Sequence, residues 1–424
     1  MTSPTPAPPA EPCGCPEFSR VSRRGLLRGA LAAGAGLSTA TAFGTAFVET
    51  SYAATRSAPA VLVVLSMRGA VDGMSLVVPH GDPVYATARP GIAVPSAQLL
   101  AKDGFFGLHP NLAPLLPLWN GGRMAAVHAT GLPAPNRSHF SAMEEVEDAA
   151  PGSTTRTGWL NRLIGRDTYT SPLQAVQLGS ANPPTSLSGP QQSVAIERIA
   201  DMRLSGADKW DPEGRRPRSM RTTWASASGP LGAGARAAMA AIADFAPVKA
   251  TSTTPANGAS YPDGDFGRAM AATARTIRGD VGAEVITVDF GSWDHHVDLG
   301  TLEWGAMQRM TSELADVLAA FFTDLGALAD KVTVVALSEF GRRVKQNANY
   351  GLDHGWGNVM LLLGAGVKGG YHGTWPGLVN DVNADLTVTT DYRSVLAEVV
   401  VKRMDASSAT VFPGFTPEAV GVMA

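Results

Sequence analysis

The chain has 424 residues, 45% of them hydrophobic and 17% charged, with a net charge of −3. This supplies the core of one large α/β domain or two ordinary ones, and no Lys/Arg run in the body tracks a phosphate backbone, so no nucleic-acid partner is expected. The 46 glycines and 30 prolines predict many turns and long connections, with function carried on loops.

Residues 1–54 read as a twin-arginine export signal. Arg23 and Arg24 are followed by a weakly apolar Ala/Gly/Thr core over 29–48 and a small-residue site near Ser51, Tyr52 and Ala53. That core is less apolar than a transmembrane span built on Leu, Ile and Val, so no stable membrane span is expected after cleavage. Cys13 and Cys15 both precede it, and a cleaved chain would have neither a disulfide nor a thiolate metal site. Any metal must then be held by oxygen and nitrogen. The expected partner is the twin-arginine export machinery, which carries folded and often cofactor-loaded proteins, and the expected location is the periplasm, the cell surface or the medium.

The run "PAVLVVLSM" (59–67) predicts a strand buried on both faces, ending at "RGAVDG". "LHPNLAPLLPLW" suits a short helix opened by Pro110, and "GRMAAVHATG" (122–131) a second strand. The next helix is expected over "SHFSAMEEVEDA", where Ser141 and Glu144 have capping-box spacing and acidic residues lie near its start. Pro/Gly/Ser-rich pieces around one helical stretch, "ARAAMAAIADF", then predict an insertion or cap over about 150–280, within a single domain spanning 55–424. A helix over "FGRAMAATARTIR", a strand at 283–290 and a long helix across "LEWGAMQRMTSELADVLAAFFTDLGAL" follow. Met307, Met310, Leu314, Val317, Leu318, Phe321 and Leu325 fall there at core-packing spacing. Strands at 331–338 and 358–366 and a helix over "DYRSVLAEVVVKRM" complete the chain. Apolar strands alternating with helices predict a doubly wound, mostly parallel sheet flanked by helices, whose ligands bind beyond the carboxyl ends of the strands.

Those ends are unusually polar. Asp72 follows the first strand; Asp294, His295 and His296 follow the strand at 283–290; Glu339 follows the next, and Asp353 and His354 come shortly after it. Crowded carboxylates need a cation or a shared proton, so Asp72, Asp294, His296, Glu339, Asp353 and His354 are candidate ligands of a divalent metal: zinc, manganese, calcium or magnesium. Singly, Asp72-Gly73 also suits a turn, Glu339 an ion pair with Arg342 or Arg343, and His354 a hydrogen-bonded loop histidine. A second cluster, Arg137, Ser138 and His139, lies where a helix start favours an anion, with Ser138 either a nucleophile or a simple N-cap.

The motifs "LSMRGAVDGMSLVVPHGDPVYATARPGIAVP", "FGLHPNLAPLLPLW", "NRSHFSAMEEVE", "TGWLNRL", "SEFGRRVKQNANYGLDHG" and "GAGVKGGYHGTWPGL" resemble the bacterial domain-of-unknown-function family 1501 over nearly all of 60–405. The resemblance implies export by the twin-arginine route and a distant relation to the alkaline phosphatase and sulfatase superfamily, which hydrolyses or transfers phosphate and sulfate esters. It places Ser138 where the nucleophile stands, Asp72 in place of the first-strand aspartate, and Asp294, His296 and His354 at ligand positions. Glu339 stands where an Asp-His pair is usual, and Phe340 follows it in place of the histidine. The expected function is an exported metal-dependent hydrolase of phosphate or sulfate esters, on a small-molecule or glycan substrate. The alternative is a non-catalytic exported binding protein on the same fold, recognising a surface glycan or a protein partner.

Overall fold

A computed structural model of the chain describes residues 57–424, apart from 155, 167–170 and 205–208. The expected export signal over 1–54 lies outside the described residues. The strands are β1 (Val61–Ser66), β2 (Val77–Val78), β3 (Gly107–Leu108), β4 (Met124–Gly131), β5 (Ala175–Leu178), β6 (Val194–Ile196), β7 (Val285–Asp289), β8 (Val332–Leu337), β9 (Asn358–Gly364), β10 (Gly370–His372) and β11 (Thr390–Asp391). Nine form one sheet in the order β10-β4-β9-β8-β1-β7-β5-β6, with β11 also on β4, while β2 and β3 pair separately.

Both faces of this sheet are covered, which explains why its central strands read as unbroken apolar runs. In β1, Val61, Val63 and Leu65 point into one core, against the helices Asp265–Gly279 and Ala306–Leu325. Leu62 and Val64 point into the other, against the helices Trp159–Ile164 and Tyr392–Arg403. Each fully buried Val or Leu contributes roughly 1.5–3 kcal/mol of transfer free energy, so alternate residues of one strand stabilise both layers.

Three local features add detail to this picture. Within the nine-stranded sheet the pairings are parallel except those of β9, which runs antiparallel to both β4 and β8. The amino end of β9 therefore lies at the same edge as the carboxyl ends of its neighbours. Next, the helix expected over 138–149 spans His139–Asp148, with Ser138 at the N-cap and no acidic residue in its first turn. Ser141 accepts instead from Asn136 Nδ2, so the Ser141/Glu144 capping box does not form. Finally, the Pro/Gly-rich stretch over about 150–280 contributes β5 and β6 to the sheet edge as well as helices such as Arg215–Ala225 and Gly229–Asp244.

Candidate metal centre

The loops at one edge of the sheet converge. After β1 the chain makes a left-handed turn at Gly69 (φ +108°), where an added Cβ would lie 2.7 Å from the main-chain nitrogen of Asp294. This close approach presses the loop after β1 against the loop after β7, and it needs a residue without a side chain. Glu339 follows β8. His354 belongs to the segment returning from β8 to β9, where Arg342 and His354 form an antiparallel bridge. His139, at the start of the helix after β4, closes the group.

Three donor atoms, from His139, Asp294 and His354, meet there, and His296 adjoins two of them. Asp294 Oδ1 lies 3.4 Å from His139 Nε2, 3.1 Å from His296 Nε2 and 3.3 Å from His354 Nε2. His354 Nε2 is itself 3.0 Å from His139 Nε2 and 2.9 Å from His296 Nε2. An ion bound at about 2.0–2.1 Å holds tetrahedral ligand atoms about 3.3–3.4 Å apart, a spacing that His139 Nε2, His354 Nε2 and Asp294 Oδ1 approach.

The outer hydrogen bonds say what such a cation would replace. His139 Nδ1 is 2.7 Å from Glu339 Oε1, His296 Nδ1 is 3.3 Å from Asp353 Oδ1, and His354 Nδ1 is 2.9 Å from the carbonyl of Arg137. Carboxylates and carbonyls only accept, so each Nδ1 carries a hydrogen, and each neutral ring turns its Nε2 lone pair inward. Three lone pairs and a carboxylate oxygen repel one another unless a proton or a metal lies among them. Without a metal, protons would have to do so. Burial disfavours the charged form of His139, but hydrogen bonds to Asp294 and Glu339 override it and push the ring up to about 9. His296 is raised chiefly by its bond to Asp294. Burial pushes the carboxyl of Asp294 up, yet the three imidazoles and Arg342 hold it far below the usual range. For Glu339, burial is likewise outweighed, here by His139, Ser338 and the N–H of Gly69.

The group borders a cleft of about 660 Å³, lined by His139, Asp294 and Glu339 on one side and by Pro183, Pro184 and Thr185 of the Pro-rich segment on another. Phe140 stands on its rim, 74% exposed. Arg68 also lines it, paired with Glu147 at 2.6 Å and Asp289 at 2.8 Å.

Asp294, His296 and His354 are thus brought together with His139. Glu339 and Asp353 stand one layer out, behind the rings of His139 and His296. Asp72 is not brought to the group: it lies in a fully buried pair with Arg89, at 2.5 and 3.0 Å. Ser138 is half-buried, with no side-chain hydrogen bond at the helix start. The guanidinium of Arg137 pairs with Asp385 while its carbonyl receives His354. Arg342 and Arg343 do not pair with Glu339: Arg342 reaches Asp294 at 2.7 Å, and Arg343 reaches Asp385 at 3.1 Å. Sequence reasoning gave no role to Arg68, Glu147 or Asp289. Their visible signals were positional: Arg68 lies two residues past β1, and Asp289 ends β7.

Residues 119–400 match the family described as protein of unknown function DUF1501. No curated protein matches the sequence. Among solved structures the chain is similar to the zinc complex of the C-terminal periplasmic domain of EptC from Escherichia coli, at 10% identity over 74% of this chain and 77% of that one, with a TM-score of 0.34. It is similar to the phosphonate monoester hydrolase of Agrobacterium radiobacter at 11% identity, 85% and 78% coverage and a TM-score of 0.33. It is also similar to the lipoteichoic acid synthase LtaP from Listeria monocytogenes at 8% identity, 75% and 69% coverage and a TM-score of 0.30.

Proposed function

This chain belongs to the DUF1501 family, and we propose that it is an exported, metal-dependent hydrolase of phosphate or sulfate esters. One observation carries the reading: the Nε2 atoms of His139 and His354 and Asp294 Oδ1 share a space of ligand dimensions, with His296 Nε2 beside the last two, and each ring is oriented by an acceptor behind it. A donor set richer in imidazole nitrogen than in oxygen favours zinc among the divalent ions considered. Bound there, a divalent cation would supply Lewis acidity to an ester oxygen or to water.

The chain's own residues have distinct parts in this reading. His139, His354 and Asp294 would hold the ion, with His296 beside them, while Glu339, Asp353 and the Arg137 carbonyl fix the rings. Asp294 keeps 44% of its side chain exposed, which leaves substrate a way in. Ser138, before the first turn of the helix, is the candidate nucleophile. The free N–H groups of that turn favour the charge developing on the transferred group, with Arg137 as a second cation if it leaves Asp385. The twin-arginine signal read in residues 1–54 makes the export machinery a partner and the periplasm or cell surface the place of action. No helix among the described residues is long and apolar enough to cross a membrane.

A second reading, a non-catalytic binding protein for a glycan or a protein partner, is favoured by the cleft's charge. Its lining carries Glu144, Glu147, Asp289, Asp294 and Glu339, and the charge of Arg68 is already met by two of them. Metal content and turnover separate the two. The hydrolase reading expects stoichiometric metal in protein purified without chelator, its loss in an Asp294→Ala, His354→Ala double variant, and metal-dependent cleavage of a nitrophenyl phosphate or sulfate. Metal without turnover of any ester favours the binding protein; a wild type without metal overturns the metal centre itself.

A further inference from the structure

Arg342 is 1% exposed although it carries a permanent charge. It donates to four main-chain carbonyls drawn from three loops: Gly69 and Ala70 after β1, Trp293 after β7, and Leu352 before β9. Its Nη2 also reaches Asp294 Oδ1 at 2.7 Å, the same oxygen that faces the three imidazoles. Elsewhere on these loops, Leu352 N–H bonds the carbonyl of His295, and Asn347 Nδ2 bonds that of His296. The planar, fixed fork of a guanidinium can serve several acceptors from one position, which a flexible ammonium cannot.

We infer that Arg342 is the positioning residue of the metal centre, fixing the Asp294 carboxylate and the three loops around it before a cation arrives. This rests on the reading of the His139, Asp294 and His354 group as a metal site. The guanidinium charge by itself opposes a divalent ion, so its presence in contact with a ligand oxygen is accounted for by the geometry it imposes. A carboxylate half-exposed at 44% would otherwise sample several rotamers, and binding would have to order it.

The test uses the full chain and zinc alone. Arg342→Lys keeps the charge and so isolates geometry. It should lower zinc affinity, read by competition with a chromophoric chelator, by about 10- to 100-fold, as loss of an orienting outer partner does. It should also shift the visible absorption bands of the cobalt-substituted protein. In an Asp294→Asn background the same change should alter zinc affinity less than about twofold, because the two residues act as one unit. Wild-type affinity and an unshifted cobalt spectrum in the Lys variant would overturn the inference, as would a full loss persisting beside Asn at 294. Should the Lys variant not fold, hydrogen exchange on the wild type decides. Amides of 69–70, 293–296 and 352–354 already protected without zinc support a preformed site, and a large gain of protection on adding zinc overturns it. A wild type that takes up no zinc overturns this inference together with the metal-site reading, whereas zinc uptake indifferent to Arg342 overturns this one alone.

Discussion

His139 and Glu339, 200 positions apart in sequence, are joined from Nδ1 to Oε1 at 2.7 Å. That bond decides which nitrogen of the ring faces Asp294. Glu339→Gln removes the charge and offers an amide that can donate as well as accept, freeing the ring to reverse its tautomer. Zinc affinity is expected to fall about 10- to 100-fold in a chelator competition, with full occupancy recoverable at higher zinc. Unchanged affinity would show that Glu339 does not orient His139.

Asp72 and Arg89 form a pair with both side chains 0% exposed, so removing one partner strands a buried charge. Asp72→Ala should cost about 3–5 kcal/mol in urea denaturation, with a smaller loss for Asp72→Asn. Folded protein of either variant should keep its metal. Loss of metal from a stably folded Asn variant would make Asp72 a ligand.

The raised His139 links metal binding to pH. Its ordinary value is 6.5 and its value in the metal-free fold about 9, so the charged ring stabilises the metal-free protein fully below 6.5, and that stabilisation is lost as the pH rises through 9. A metal needs the neutral ring and must displace the proton. Apparent zinc affinity should therefore climb about tenfold per pH unit below pH 9 and level off above it, more steeply wherever His296 is also protonated. Affinity flat across that range would contradict a protonated His139.

Ser138 occupies an N-cap without making a capping bond, so Ser138→Ala should change stability by less than about 0.5 kcal/mol. If Ser138 is the nucleophile, turnover is abolished while metal content stays at the wild-type level. Retained turnover would leave direct attack by water.

The buried strands were legible because a strand covered on both faces must be apolar at every position, as β1, β8 and β9 are. Direction was not legible, since an apolar run reads the same for a parallel and an antiparallel neighbour. Only the antiparallel pairing of β9 explains how His354, which precedes a strand, reaches the same edge as Asp294, which follows one. β5 and β6 stayed hidden because short strands among Pro and Gly residues lack a periodic signal. His139 beside Ser138 looked like part of an anion site, and nothing local revealed that its ring meets residues from two distant loops. Arg342 was visible as a charge near Glu339, but its fan of carbonyl acceptors exists only once three loops have closed on it.

The donors of the group and the adjoining His296 come from positions 139, 294, 296 and 354, set by β4, β7 and β9. No short fragment of the nascent chain contains even three of them in ligand spacing, so the centre comes into being only when most of the sheet has assembled. Under the metal-site reading, the ion is then a late arrival that rewards a finished fold instead of nucleating it. The compartment in which this chain folds is accordingly the first that can load the site.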